Sequence, residues 1–413
     1  MVQVHDLAEL VAHAREHSPF YRELYAGLPD GPLALTELPL VEHTAFWAAN
    51  SFPDSRVLTG PHTDGIVFKT GGTTSAPKVS VYTRPEWARM SRTFGTGLAA
   101  AGLLPGDRVA NLFYAGELYS SFVFTLNTLQ DTPVPNVQLP IAGSAPLDFV
   151  ALTLRDFSAT VVTAPPTSLC RLAVHLSDTG QQLPDVHLVL FSGEAFYADQ
   201  RALLASAFPN AEVRSIGYAS VDAGILGAPV AGEPDVRVHR VFTEDKVVEL
   251  LDQETGQPIE VPGRAGRVVA TDLTRRLMPV LRYPVGDMAE WVDVRQRTFR
   301  LLGRAEEGAR VGPVTLYLED LRTIVESATE GLRVTGMQVV LRRRQAKDEL
   351  VLRLAGDPVD REALAARLDD TRPMFAEHVA AGLIHPLAVE RVATGELEVN
   401  PRTGKLVRLV DQR

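Results

Sequence analysis

Residues 70–78 read Thr70-Gly71-Gly72-Thr73-Thr74-Ser75-Ala76-Pro77-Lys78. Glycines and small hydroxylated residues let a backbone approach an anion closely and offer it N–H and O–H donors. The run is not a P-loop, because a P-loop needs a Gly-Lys-Ser/Thr sequence that leads into a helix. Apolar residues alternate with others on both sides, over 66–69 and 79–82, which predicts a strand–loop–strand hairpin. Taken alone, the run fits a plain turn as well as a loop that closes over a phosphate chain.

Outward from this hairpin, helical spacing of apolar residues predicts helices over 7–17 and over Pro85–Leu104. Beyond them, short apolar strands alternate with helices. The predicted strands are Arg108–Phe113, Thr132–Pro135, Ala159–Thr163, Val186–Phe191 and Glu212–Ile216. The predicted helices are Glu117–Leu129, Pro146–Asp156, Ser168–Ser177 and Ala198–Ala207. This alternation predicts the α/β fold class, with layered sheets and much parallel pairing.

The pattern changes after Ile225, where five strands follow one another without intervening helices, over 236–242, 246–252, 266–272, 286–294 and 298–302. They predict a β-rich subdomain. After Gly303 helices return, near 318–327 and 360–379, among strands near 333–342 and 348–354. We therefore expect a large N-terminal domain over 1–303 and a small, mobile α+β C-terminal domain over 304–413.

Composition excludes several classes of protein. The 413 residues are 45% hydrophobic and carry a net charge of −10, which argues against nucleic acid or an anionic membrane as the main partner. The single cysteine, Cys170, excludes an internal disulfide framework. No apolar run is long enough for a transmembrane helix, and Met1 to Arg15 is too charged for a secretory leader. We expect a cytoplasmic protein.

Seven segments, in order along the whole chain, resemble the adenylate-forming acyl-CoA synthetase superfamily, and most closely its phenylacetate–CoA ligase-like branch. Besides the loop at 70–78, they are the opening His17–Tyr25 with Leu35–Leu40, the segment Ser192–Ala195, the segment Tyr218–Asp222, the segment Leu281–Asp287, the hinge-like Gly303–Glu307 and the C-terminal Pro401–Lys405.

This resemblance implies that the chain joins a carboxylic acid to the AMP part of ATP, with release of pyrophosphate. It also implies that a set of residues binds the phosphates, adenine or ribose of the nucleotide. They are Thr70, Gly71, Gly72, Thr73, Thr74, Gly193, Glu194, Ala195, Tyr218, Asp287 and Arg304. Asp222 stands where the family has a glutamate linked to Mg²⁺, and its shorter side chain suggests a bridging water. Lys405 would contact the α-phosphate and the attacking carboxylate. Lysine supplies only five of the 41 basic residues, which makes each retained lysine a candidate for function.

The resemblance also places the acid pocket in three segments, 111–124, 136–142 and 215–222. Its predicted lining includes Phe113, Tyr114, Tyr119 and Gly217, and an aromatic-lined slot suits a planar acid. By helical spacing alone, about half of these rings would be ordinary core. The ten histidines show no metal-binding spacing, and none is assigned a catalytic role.

After the acyl-adenylate forms, the acyl group passes to an acceptor. Several departures from the family pattern leave the identity of that acceptor open. Ser75-Ala76 replaces the usual Gly-Lys/Arg pair and removes one cation from the loop, and Glu306-Glu307 replaces paired aspartates at the hinge. The acceptor can be CoA, a carrier-protein thiol, an amine or a small inorganic acid such as nitrite, as in natural-product pathways. A non-catalytic nucleotide-binding homologue is a further alternative, and a homodimer stays open.

Overall fold

The computed structural model describes residues 4–69, 78–304 and 308–413. Helices α1 to α11 span Leu7–His17, Pro19–Leu24, His43–Ala49, Arg84–Thr96, Ser121–Asp131, Leu147–Asp156, Pro166–Asp178, Ala198–Ala207, Leu318–Ala328, Arg361–Thr371 and Pro373–Ala380. Strands β1 to β20 span Ile66–Lys69, Val79–Tyr82, Asp107–Asn111, Asn136–Pro140, Val161–Ala164, Leu188–Phe191, Glu212–Ser215, Tyr218–Ser220, Gly224–Pro229, Val238–Val241, Lys246–Leu251, Ala265–Asp272, Tyr283–Asp293, Thr298–Arg304, Gly308–Val311, Val314–Tyr317, Val334–Arg344, Lys347–Gly356, Ala388–Val392 and Leu409–Asp411.

The hairpin predicted around the glycine-rich loop is present. Strands β1 and β2 pair antiparallel, with Ile66 opposite Tyr82 and Lys69 opposite Val79. The chain then enters α4, where Thr83 and Glu86 form a capping box around Pro85 in the first turn. The loop itself, 70–77, lies outside the described residues.

The alternating region forms a parallel sheet of five strands in the order β4-β3-β5-β6-β7. This confirms the layered α/β prediction, and α8 spans the residues predicted for it. The predicted strand Thr132–Pro135 is wrong, because Thr132 closes α5 and the strand begins only at Asn136. Pro133 and Pro135 carry no N–H and cannot donate to a sheet ladder.

The predicted β-rich region is a seven-stranded antiparallel sheet in the order β11-β12-β13-β14-β10-β9-β8. The N-terminal helices α1 to α3 cover it and share its hydrophobic core, which includes Tyr21, Phe46, Tyr283 and Trp291. The segment that opens the chain therefore packs against strands more than 200 residues away and brings α3 close to β13.

The C-terminal part has a four-stranded sheet, β19-β18-β17-β20, with α9, α10 and α11 around it. Its hydrophobic cluster runs from Ala309 to Val389. The division into domains at 303/304 stays a prediction. The single helix predicted over 360–379 is two helices, because Pro373 starts a new one after Arg372. Within the described ranges, no helix is long and apolar enough to cross a membrane.

Candidate active site

The predicted ribose-binding residues meet on the seven-stranded sheet. Asp287 and Arg304 lie directly opposite each other on β13 and β14, and Arg304 Nη1 is 3.4 Å from Asp287 Oδ1. The Tyr218 hydroxyl, from β8, donates to Asp287 Oδ2 at 2.5 Å. Burial raises the pKa of Asp287 above its usual value, while the Arg304 charge and the Tyr218 hydrogen bond act against that shift. The result is a carboxylate with an exposed guanidinium beside it, a pairing that suits recognition of a diol.

Asp222 lies deeper, just after β8, and is 7% exposed. Its Oδ2 accepts hydrogen bonds from Lys78 Nζ at 3.2 Å and from the Tyr283 hydroxyl at 2.9 Å, and its Oδ1 accepts from the Ala223 amide at 3.1 Å. Burial alone would raise the pKa of Asp222, but the Lys78 charge and hydrogen bonds from Ser220 and Tyr283 hold it below its usual value. Asp222 is therefore an ionised, buried carboxylate whose partner is an ammonium group.

That environment does not fit direct coordination of Mg²⁺ by Asp222. Magnesium requires a near-octahedral shell of oxygens at about 2.0–2.1 Å. A metal bound directly to Asp222 Oδ2 would have to displace Lys78 or Tyr283, and its charge would face the Lys78 ammonium. We therefore assign no direct metal ligation to Asp222.

Lys78 also contacts the N-terminal helix α3. Its Nζ is 2.6 Å from His43 Nε2 and 5.6 Å from the centre of the Trp47 ring. Sequence reasoning did not assign a role to either Lys78 or His43. The scarcity of lysine was a signal for Lys78, whereas nothing in the local sequence marked His43.

The C-terminal segment 400–408 docks on the large part of the molecule and carries Lys405 with it. A Cβ built on Gly193 would lie 2.5 Å from Lys405 Cε and 2.7 Å from Nζ, so the lysine packs directly on the Gly193 backbone. Its Nζ is also 6.0 Å from the centre of the Tyr119 ring. The structure thus brings together the predicted catalytic lysine and the predicted adenine-binding segment.

Glu194 links the two parts of the molecule. Its carboxylate accepts from the Thr167 amide and hydroxyl, both at 2.9 Å, and from the Leu406 amide at 2.6 Å. Burial raises the pKa of Glu194, and the hydrogen bonds from Thr167 and Leu406 oppose that effect. Ala195, the next residue, is exposed. Glu194 therefore holds the docked segment, a role that sequence reasoning missed.

Arg402 makes a second link across the same boundary. Its guanidinium donates to the Lys69 carbonyl at 3.2 Å and to the Glu117 carbonyl at 3.1 Å, and lies 5.6 Å from the centre of the Tyr119 ring. Lys69 precedes the glycine-rich loop directly. The docked C-terminal segment is thus anchored at both flanks of Lys405.

The predicted pocket residues fall into two groups. Phe113 packs in the core beneath the parallel sheet. Tyr114 and Tyr119 turn their rings toward the C-terminal segment, where a Cβ on Gly404 would lie 1.9 Å from the Tyr114 ring. Gly217 has a φ of +139°, and a Cβ there would lie 2.5 Å from the Phe94 ring. That close approach explains the need for glycine.

Two predicted groups lie outside the described residues. They are the phosphate-binding residues Thr70, Gly71, Gly72, Thr73 and Thr74, and the hinge residues that follow Arg304, namely Ala305, Glu306 and Glu307. Their assigned roles stay predictions.

The chain is similar to known ligases over its whole length, although no family model matches it. The phenylacetate–coenzyme A ligase of Thermus thermophilus is 25% identical over 441 residues, covering 100% of this chain and 96% of the relative. A crystal structure of 2-hydroxyisobutyryl-CoA ligase, in the postadenylation state with R3-HIB-AMP, matches with a TM-score of 0.74 at 20% identity, covering 98% of this chain and 88% of that chain. The same enzyme with 2-HIB-AMP and CoA in the thioesterification state matches over the same shares, also at 20% identity, with a TM-score of 0.64.

Proposed function

We propose that the chain is a member of the adenylate-forming superfamily, in its phenylacetate–CoA ligase-like branch, and that it activates a carboxylic acid with ATP and passes the acyl group to a thiol such as that of CoA. One observation carries the proposal. Lys405, eight residues from the C-terminus, is docked against Gly193 while Asp287, Arg304 and Tyr218 are assembled on the large sheet.

In the first half-reaction, a carboxylate oxygen of the acid attacks the α-phosphorus of ATP. A new phosphorus–oxygen bond forms, the bond to the β-phosphate breaks, and pyrophosphate leaves with its electron pair. Two anions must meet, so the barrier falls mainly through positioning and electrostatic stabilisation. Lys405 would supply the positive charge at this point, and Asp287 with Arg304 would hold the ribose.

In the second half-reaction, a thiolate attacks the acyl carbon, AMP leaves, and the thiol proton passes to solvent. CoA or a carrier-protein thiol would serve as the acceptor. The better match to the postadenylation state than to the thioesterification state of the hydroxyisobutyryl enzyme, at TM-scores of 0.74 and 0.64, supports a docked arrangement suited to the first half-reaction. Small-domain rotation about the segment after Arg304 would then admit the thiol.

An aromatic acid is the substrate class that we propose. Tyr114 and Tyr119 are both nearly buried and lie beside the docked Lys405 segment. Two aromatic rings beside the proposed catalytic lysine favour a planar acid that can stack on them.

The test is a pyrophosphate-release screen over aromatic and small carboxylic acids, each with and without CoA. We expect acid-dependent release of pyrophosphate, greatest with an aromatic acid, and a thioester product only when CoA is present. Acid-dependent release without a CoA product would retain adenylation and redirect the acceptor to a carrier protein or an amine. No acid-dependent release from folded protein, across the whole screen, would favour the non-catalytic alternative.

A further inference from the structure

A buried serine and a buried histidine meet where the chain passes from one sheet to the other. Ser215 is the last residue of β7 in the parallel sheet, and His239 lies on β10 of the antiparallel sheet. Ser215 Oγ is 2.9 Å from His239 Nε2, and the two residues are 6% and 2% exposed. This hydrogen bond joins the two sheets beside Ile216 and Gly217, the residues that connect β7 to β8. Neither side chain has a role in the site described above.

The contacts of His239 define which atoms donate. Its Nδ1 is 2.9 Å from the Arg237 carbonyl oxygen, which can only accept, so the ring proton resides on Nδ1. Burial lowers the pKa of His239 to about 4, so the ring is neutral near neutral pH and its Nε2 accepts. The Ser215 hydroxyl therefore donates to Nε2, and its oxygen accepts from the Gly217 amide at 3.1 Å. A directed row of three hydrogen bonds thus runs from the Gly217 amide to the Arg237 carbonyl.

Close packing on both sides leaves this row little freedom. Strand β9 lies between β8 and β10, and a Cβ on its Gly227 would lie 2.9 Å from His239 Cβ. Gly217 is packed against the Phe94 ring, and its φ of +139° is one that residues with side chains rarely adopt. The Gly217 backbone therefore keeps an unusual conformation, held by a packed ring and by the hydrogen bond from its amide to Ser215.

Gly217 leads directly into the nucleotide side of the candidate site. Tyr218 follows it, and the Tyr218 hydroxyl donates to Asp287 Oδ2 at 2.5 Å. The centre of the Tyr218 ring is 6.1 Å from that of the His239 ring. Because Tyr218 is 9% exposed, its position depends on the backbone that carries it and on these neighbours. A shift at Gly217 would therefore reach the hydroxyl that orients Asp287.

We propose that Ser215 and His239 are positioning residues, which fix the Gly217 amide so that Tyr218 orients Asp287 toward the ribose of ATP. The proposal rests on the adenylation function above. It gives a role to one of the ten histidines, none of which is marked by a pattern in the sequence. Since a buried polar group without its partner is costly, loss of either member of the pair should disturb the other.

The first test is ATP affinity, measured by calorimetry without any acid. Ser215→Ala removes the donor to His239 and the acceptor for Gly217, and should raise the Kd for ATP by about three- to tenfold. Ser91→Ala is the matched control and should bind ATP as the wild type does, because Ser91 is also buried but its hydroxyl has no hydrogen-bond partner among the described residues. Wild-type affinity in folded Ser215→Ala would overturn the positioning role, whereas a wild type that binds no ATP would overturn the proposed function itself.

The second test separates positioning through Ser215 from a role in packing alone. In His239→Gln the side-chain oxygen can reach the place of Nε2 and accept from Ser215. In His239→Asn the amide nitrogen can reach the place of Nδ1 and donate only to the Arg237 carbonyl. We expect His239→Gln to stay within about twofold of the wild-type Kd for ATP, and His239→Asn to lose as much affinity as Ser215→Ala. Adding Ser215→Ala to His239→Asn should cause no further loss.

The opposite pattern would contradict the proposal. Equal losses of ATP affinity in the two amide variants, or a larger loss in His239→Gln, would show that His239 only fills the core. Losses that multiply in the double variant would show that the two side chains act separately.

The third test needs no nucleotide. Histidine labelled with ¹⁵N in both ring nitrogens reports the protonation of all ten rings, and His239→Gln assigns the signals of interest. At neutral pH the wild type should show a protonated Nδ1 and an unprotonated Nε2 on His239, and Ser215→Ala should shift the Nε2 signal. A proton on Nε2 would reverse the row of hydrogen bonds and overturn the proposal. If all three tests succeed but no acid supports pyrophosphate release, the proposed reaction fails while the positioning of ATP stands.

Discussion

The ribose side and the C-terminal side of the candidate site are built in different ways. Asp287 and Arg304 are cross-strand neighbours within one sheet, and their pairing follows from the register of β13 and β14. Lys405 reaches the site on a segment held by hydrogen bonds from Leu406 to Glu194 and from Arg402 to two backbone carbonyls. The ribose side therefore depends on the pairing of two strands within one sheet, whereas the C-terminal side depends on a few hydrogen bonds between the two parts of the molecule.

The difference has a functional meaning. Hydrogen bonds of this kind contribute only about 0.5–1.5 kcal/mol each, or about 1.5–3 kcal/mol where a charge takes part. These magnitudes are compatible with the prediction that the docked C-terminal segment positions Lys405 in one half-reaction and is released for the other. Substitutions on the two sides should accordingly separate nucleotide binding from the first chemical step.

The largest effect is expected from Lys405→Ala. It should reduce acid-dependent ATP–pyrophosphate exchange by about a hundredfold or more, since loss of one charge-stabilising donor costs about 2.7–4 kcal/mol in the transition state. The loss should appear in kcat more than in ATP affinity. Supplied with a pre-made acyl-adenylate, the variant should transfer the acyl group at nearly the wild-type rate. Lys405→Arg should rescue poorly, because a guanidinium fork does not fit the space packed against Gly193. Normal exchange by folded Lys405→Ala would remove the lysine from the reaction.

Asp287→Ala tests the sheet-built half. Loss of a charged acceptor for the ribose should weaken ATP binding by about 1.5–3 kcal/mol, measured by calorimetry. The same change at Asp293, further along β13, is the matched control and should leave ATP affinity unaltered. If Asp287→Ala binds ATP normally and keeps its melting temperature, the sheet-built half does not bind the nucleotide.

Gly404→Ala tests the docking of the C-terminal segment directly. Gly404 has a φ of +66°, and an added Cβ would lie 1.9 Å from the Tyr114 ring, so either the segment or the ring must move. A strained backbone residue costs about 1–3 kcal/mol, and we expect a comparable loss in pyrophosphate exchange with little change in acyl transfer from a pre-made adenylate. Gly395→Ala, where no atom lies within 4 Å of the added Cβ, is the control. An equal loss in both half-reactions would argue against a docking that serves only the first.

The smallest effect is expected from Tyr197→Phe. The Tyr197 hydroxyl, on the large part, donates to Glu319 Oε1 at 3.2 Å and accepts from Arg408 Nη2 at 3.2 Å, while its ring lies 4.2 Å from the Arg322 guanidinium carbon. Removing only the hydroxyl should weaken docking by about 0.5–1.5 kcal/mol and slow exchange by a few-fold. Tyr317→Phe, at a half-exposed ring, should be neutral. Wild-type exchange in Tyr197→Phe would show that this contact does not hold the docked state.

Local patterns in the sequence were enough to predict much of the secondary structure. The helices over 7–17 and 198–207 and the parallel α/β core depend on short-range apolar spacing, which the residues themselves carry. Errors arose at prolines: Pro133 and Pro135 delayed a strand, and Pro373 divided a helix. Proline affects single backbone groups, and the spacing of apolar residues does not reveal that effect.

In the candidate site, too, some features follow from local sequence patterns and others do not. Asp287 and Arg304 lie in motifs that resemble those of a family, and their pairing needed only the strand register to be realised. The contact between His43 and Lys78 joins residues 35 positions apart, and the contact between Lys78 and Asp222 joins residues 144 apart. No local pattern encodes such contacts, because they arise only when α3 packs on the large antiparallel sheet and brings its side chains to the end of the loop. The types of residue could therefore be read from the sequence, whereas the pairing of Asp222 with the Lys78 ammonium group depends on tertiary packing.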